Sequence, residues 1–102
     1  MVDVFGVLAN PVRRQLLVAL RAGPLPAGEL AGRFALSRPA VSEHLAVLRQ
    51  AGLVREEPRG RHRYYHLAAE PLAEIQEWLN PFERYWRGRL TDLKTMLEEG
   101  SE

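Results

Sequence analysis

Residues 59–63, Arg59-Gly60-Arg61-His62-Arg63, place three guanidinium groups and an imidazole around a turn that also holds Pro58. A guanidinium is planar, permanently charged, and forked to match phosphate oxygens or the major-groove edge of guanine. A basic tip of this kind suits the narrow, strongly negative minor groove of a duplex, although a solvated charged hairpin has the same composition. A second group precedes it: Ser37, Arg38, Pro39, Ser42, Glu43, His44 and Arg49. Ser42 is a residue type that bonds base or phosphate, Arg38 phosphate or guanine, and Glu43 the amino group of cytosine. An acid at position 43 repels phosphate unless it is paired or reads a base. His44 reads either as a half-buried structural histidine or as a phosphate or base contact. Catalytic chemistry finds little support. Ser42 and His44 are two apart on a helix and point apart, so they make no nucleophile–base pair. No Gly-rich phosphate loop is present. His62 and His66 sit about 13 Å apart along a strand, with no His beyond them and no Cys anywhere. No enzyme, metal site or cofactor is expected.

These residues need elements to position them. Ser37 is a good N-cap, and Pro39 is tolerated in a first turn. At about 100° per residue, Val41, Leu45 and Leu48 fall within about 40° of one another and make one narrow apolar face. The opposite face carries Pro39, Ser42, Glu43, Ala46 and Gln50, with Arg38 and Arg49 on one flank and His44 on the other. Any amphipathic surface helix shares that pattern, but the flanking elements are specific. Gly52 ends the helix where a left-handed residue is wanted. A helix at roughly 26–34 precedes it, with Leu30, Phe34 and Glu29, and the link Ala35-Leu36-Ser37 is as short as a helix-turn-helix requires. Residues 53–57 and 62–68 read as strands joined by Pro58-Arg59-Gly60-Arg61, with Tyr64 and Tyr65 on alternate faces. Upstream, a short helix carries Val4, Phe5, Val7 and Leu8. Asn10-Pro11 opens the next, which runs through Leu16, Leu17 and Leu20 to Gly23-Pro24.

The last helical region opens at Pro71 and runs to about Glu98, with Pro81 expected to kink or split it and Asn80 able to recap the second part. Ile75, Leu79, Phe82, Trp86, Leu90, Leu93 and Leu97 follow helical spacing, widened by Trp78, Tyr85 and Met96. The stripe covers about 33 Å of helix, more than a small core can cover. The surplus asks for a partner, most simply the same helix of a second chain. The interface expected is Val4, Phe5, Leu8, Trp78, Phe82, Tyr85, Trp86, Leu90, Leu93 and Leu97. Folding back onto its own core, or lining a small-molecule pocket with Trp78, Phe82, Tyr85 and Trp86, are the competing uses. The tail Gly100-Ser101-Glu102 is expected to fray.

The length of 102 residues fits one domain, 1–102, with dimerisation helices at about 3–9 and 71–98. Net charge is only +1. Residues 37–66 carry six Arg against three Glu, whereas residues 67–102 carry four cations against eight acids. A basic middle beside an acidic end suggests that one face meets phosphate while the other meets solvent or a partner. Arg over Lys at thirteen of fourteen cations fits bidentate phosphate contact, and equally a GC-rich codon bias. No apolar run spans a membrane, and MVDVFGVLANPVRR lacks a basic region ahead of an apolar stretch, so a cytoplasmic protein is expected.

LANPVRRQLLVAL, LAGRFALSRPAVSEHLAVLRQAGLV and GRHRYYHL together resemble the ArsR-type (arsenic-repressor-like) winged-helix transcriptional repressors. The resemblance covers residues 3–68 well and extends more loosely through the last helix. It implies a mainly α fold with a small β-hairpin, four helices, two strands and a fifth helix, dimerising through the terminal helices. It also implies a homodimer on an imperfect palindrome in promoter DNA, usually as a repressor. Carried over by position, the DNA contacts fall on Ser37, Arg38, Ser42 and His44, and in the wing on Arg59, Arg61 and Arg63. Pro39, Glu43, Arg49 and His62 complete the expected set, and Glu43 stands where relatives often carry His or a basic residue. Metal-responsive relatives hold Cys in the third helix or a His/Asp/Glu set in the last. GELAGRF has no thiol and WLNPFERYWRGRL no His, so the chain looks like the metal-independent branch, constitutive or released by a protein or an organic ligand. The alternative is a winged-helix protein-interaction module that uses the stripe at 75–97.

Overall fold

A computed structural model of the chain describes residues 3–99, so the expectation for Gly100-Ser101-Glu102 lies outside the described residues. The elements are α1 (Val4–Leu8), α2 (Pro11–Ala19) with a 3-10 turn (Leu20–Ala22), β1 (Leu25–Pro26), α3 (Ala27–Arg33), α4 (Arg38–Gln50), β2 (Val54–Arg59), β3 (His62–Leu67), α5 (Leu72–Leu79), a second 3-10 turn (Asn80–Phe82) and α6 (Glu83–Glu99).

Three side-chain caps start helices. Asp3 Oδ1 accepts from the Phe5 amide, Asn10 Oδ1 from Val12 and Arg13, and Ser37 Oγ from Ala40. Each satisfies donors that a helix N-terminus leaves orphaned. Gly52 ends α4 at φ 77°, and the Leu53 amide returns to Leu48 O at 2.9 Å. The α3–α4 link turns through Ala35 at φ 52°, with the Leu36 amide donating to Ala31 O at 3.0 Å. A β-carbon in the left-handed region costs about 1–2 kcal/mol. That turn is therefore held by the helices on either side rather than by its own residue type.

The sheet corrects the expected hairpin. β2 and β3 pair from Val54↔Leu67 to Arg59↔His62, so the turn is only Gly60-Arg61, with Gly60 at φ 59°. Pro58 and Arg59, expected in the turn, are strand residues. β2 is an edge strand, since the order is β1-β3-β2, and an edge tolerates a proline without an amide. β1 adds a third strand, with Leu25↔Tyr65 and Pro26↔Tyr64. Two residues are too few to carry an alternation, which is why the sequence reading missed it.

The core joins Leu16, Leu20, Leu30, Val41, Leu45, Leu48, Leu53 and Val54, all essentially without exposure, so the apolar faces of α2, α3 and α4 meet the root of the wing. Leu72 and Ile75 of α5 pack against it. Val4 is buried in this same core, while Phe5 and Leu8 stay partly exposed. Phe5 meets Trp78 edge-to-face at 5.9 Å, and Trp78 meets Phe82 at 5.1 Å. Pro81 does divide the last helical region. Asn80 does not recap it: its backbone is helical at φ −51°, and its Oδ1 accepts from Gln76 Nε2 at 2.9 Å. α6 buries none of its residues. The radius of gyration is 18.0 Å, against about 13 Å for a compact chain of this length.

Candidate nucleic-acid interface

The leading half of α4 and the wing form one wall of polar side chains. Ser37, Arg38, Pro39, Ser42 and Glu43 are all exposed at the start of α4, as are Arg59, Arg61, His62 and Arg63 on the wing. Between them opens a cleft of about 500 Å³, lined by Arg38 and Ser42 from α4, by Arg61, His62, Arg63 and Tyr65 from the wing, and by Pro26–Glu29 at the root of α3. A β-carbon added at Gly28 would lie 3.8 Å from the Arg38 guanidinium, so Arg38 rests against the α3 backbone. Thus two segments more than ten residues apart in sequence present their donors to one opening.

The arginines of this surface are not equivalent. Arg49 Nη1 donates to Glu56 Oε2 at 2.7 Å, and Arg63 Nη1 donates to the other oxygen of the same carboxylate. Glu56 is mostly enclosed, with a side chain 13 % exposed. It raises the Arg63 guanidinium above its ordinary value by hydrogen bond and charge. Arg59 donates to Glu57 and its guanidinium lies 4.5 Å over the Tyr64 ring. Arg59, and after it His66, hold the Glu57 carboxyl below the usual carboxylate range. His66 Nε2 lies 3.3 Å from Glu57 Oε1 and is buried without a well-formed hydrogen bond. Burial, reinforced by Glu56, pushes the Tyr65 hydroxyl up. Among the described residues no ion pair engages Arg38 or Arg61. These two are therefore the uncompensated cations that face the cleft.

His44 stands apart from the exposed set. It is half-buried, and its Nδ1 accepts from Arg13 Nε at 3.4 Å, while Arg13 Nη1 also donates to Val7 O. Ser37 Oγ accepts in the cap and retains its hydroxyl proton for another acceptor. Sequence reasoning missed Glu56 and Glu57. The hairpin register carries the signal: Glu56 is opposite Tyr65 and Glu57 opposite Tyr64, so Arg63 and His66 are their diagonal neighbours on the same faces. Arg13 was missed too, and only the packing of α2 on α4 reveals it. Among the described residues, no three His, Cys, Asp or Glu side chains group where they would hold a metal, and no helix is long and apolar enough to cross a membrane.

The winged arrangement has known counterparts. The family model described as "Bacterial regulatory protein, arsR family" matches residues 10–56. The chain is 41% identical over 96 residues to the HTH-type transcriptional regulator Rv2034 of Mycobacterium tuberculosis, covering 93% of this chain and 87% of that one. It is 34% identical to the transcriptional repressor SdpR of Bacillus subtilis, covering 78% of this chain and 89% of that one. In structure it is similar to the homodimeric winged helix-turn-helix DNA-binding domain of Mb0332 from Mycobacterium bovis. That match has a TM-score of 0.65 and 27% identity, over 79% of this chain and 75% of the other. The fold is that of a winged helix-turn-helix, the chain is a transcriptional regulator and not an enzyme, and it belongs to the arsR family of bacterial regulatory proteins.

Proposed function

We propose that this regulator works as a homodimeric repressor that reads a palindromic operator in double-stranded DNA without a bound metal. The observation that carries the reading is the pairing of an exposed α4–wing wall with an uncovered apolar face on α5 and α6. Trp78, Phe82, Tyr85, Trp86, Leu90, Leu93 and Leu97 are all exposed at 43% or more, far beyond what a small water-soluble surface leaves bare in one stripe. A second copy covers that face and presents two α4 helices about one DNA turn apart. In this reading Ser42 and Arg38 meet base edges or phosphate from the leading half of α4. Ser37, Pro39 and Glu43 flank them, and Arg61 and His62 reach from the wing. Metal independence is supported by the absence of Cys and by His, Asp and Glu side chains that, among the described residues, do not gather into a ligand set. Repression is then constitutive or is released by an organic molecule or a protein. The repressor named among the relatives supports repression as the outcome.

The test is selection of bound duplexes from a random pool with EDTA present. A two-fold symmetric motif, with half-sites separated by about ten base pairs, is the expected result. Recovery of a motif only after metal is added removes metal independence. An asymmetric motif removes the dimer, and no motif at all returns the stripe at 75–97 to the role of a protein-docking face.

A further inference from the structure

We propose that Glu56 is a positioning residue for DNA discrimination: its carboxylate clamps the wing to the recognition helix and keeps two arginines off the phosphates. The inference rests on the DNA-interface reading above. Glu56 sits on β2, in a crevice bounded by Ser42, Leu45, Ala46 and Arg49 of α4 and by Arg63 and Tyr65 of β3. Its two oxygens are divided between helix and wing, Oε2 to Arg49 and Oε1 to Arg63. One enclosed anion thus ties together the two elements that must keep a fixed spacing to straddle a groove edge. The carboxylate is mostly enclosed while the Arg49 and Arg63 side chains stay 55 % and 71 % exposed, so the tie acts through the division of its two oxygens between helix and wing rather than through a dry ion pair.

The charge arithmetic gives the clamp a second consequence. Arg49, Glu56 and Arg63 together present one positive charge where two arginines alone would present two. Binding that depends on phosphate count is insensitive to sequence. A clamp that lowers the count and fixes the wing therefore trades non-specific affinity for discrimination. Without the anion, Arg49 and Arg63 repel each other, the wing is released from α4, and both guanidinium groups become free for phosphate.

The experiment uses the full chain, with binding to its selected duplex and to random duplex measured across a salt series. Glu56→Gln is expected to bind random duplex several-fold tighter and to steepen the logarithmic salt slope by about 1–2 per chain. The ratio of selected to random affinity is expected to fall about tenfold. Adding Arg63→Ala to that variant should take back about 0.9 of the steepening, whereas Arg63→Ala alone should move the wild-type slope by much less. Glu56→Asp keeps the charge but draws the carboxylate back by one methylene, so it cannot span both partners. It is expected to lose discrimination without the gain in random binding. It also serves if Glu56→Gln does not fold, which a circular-dichroism melt decides. Unchanged discrimination in both variants overturns the proposal, as does a steepening that Arg63→Ala leaves in place. A wild-type chain with no sequence preference overturns the operator reading itself, before any variant is compared.

Discussion

At the scale of single residues, the surface sorts its arginines by whether a carboxylate already holds them. Arg59 is engaged by Glu57, and Arg49 and Arg63 by Glu56, whereas Arg38 and Arg61 face the cleft with no such partner among the described residues. Arg61→Ala is therefore expected to weaken binding to every duplex alike and to flatten the logarithmic salt slope by about 0.9 per chain. An unchanged slope in a salt titration would remove the wing tip from the interface. Arg38 sits at the leading end of α4 and is expected to read a base. Arg38→Ala should relax preference at one position in each half-site, at a discrimination of about 1–3 kcal/mol. A uniform loss across sequences would make it a phosphate contact. Tyr65 contributes a pH dependence on the alkaline side. Burial raises its hydroxyl above the ordinary value, so the folded state favours the neutral form. The sign follows: this contribution is complete below the unfolded pKa near 10 and is lost as pH rises through the folded one. Tyr65→Phe should therefore lose less of its thermal stability than the wild-type chain between about pH 9 and pH 11. Parallel declines would mean that the hydroxyl is solvated.

Elements show which signals survive in a sequence and which need the third dimension. The start of α4 is legible because a cap is a local device: Ser37 bonds an amide three residues away, and Pro39 only has to be tolerated. Its end is legible because Gly52 needs φ 77°. Gly52→Ala should cost about 1–2 kcal/mol of backbone strain from that φ, while the added carbon meets Pro71 Cγ at an ordinary contact distance of 3.4 Å. A urea midpoint unchanged by that substitution would show that the turn relaxes. Ser37→Ala should cost about 1 kcal/mol in the same assay. The helices at 11, 38 and 72 were legible from caps, prolines and periodicity. The third strand was not, because Leu25 and Pro26 are held by Tyr65 and Tyr64 forty residues away rather than by any pattern of their own. Ala35 at φ 52° was hidden for a related reason, since its conformation is imposed by α3 and α4. At the site, the exposed cations on α4 and the wing were readable from residue type. Their sharing of Glu56 and Glu57 was not, because it depends on hairpin register and on how closely α4 packs beside the wing.

For the whole molecule, the decisive fact is that a 17-residue helix stands outside the core with none of its residues buried. The extents of 59 × 34 × 20 Å place it as an arm rather than a layer. An isolated helix of that length is marginal in water, and the apolar stripe on it makes an unpaired arm costly. The region from 67 to 102 is also the acidic part of the chain, with eight acids against four cations, so DNA is a poor candidate to cover it. A second copy is the economical solution, because Trp86, Leu90, Leu93 and Leu97 recur along one face and a two-fold axis sets like against like. Leu93→Glu puts a charge into the middle of that face without touching the core. The expected outcome is a chain that keeps a helical circular-dichroism spectrum and a cooperative melt but sediments at the mass of one chain. Affinity for a palindromic duplex should then fall roughly 100-fold or more, since two linked half-site contacts become one. Affinity for a single half-site should barely change. A variant that stays dimeric would place the interface elsewhere. A variant that is monomeric yet still binds the palindrome as tightly as before would show that dimerisation plays no part in operator recognition.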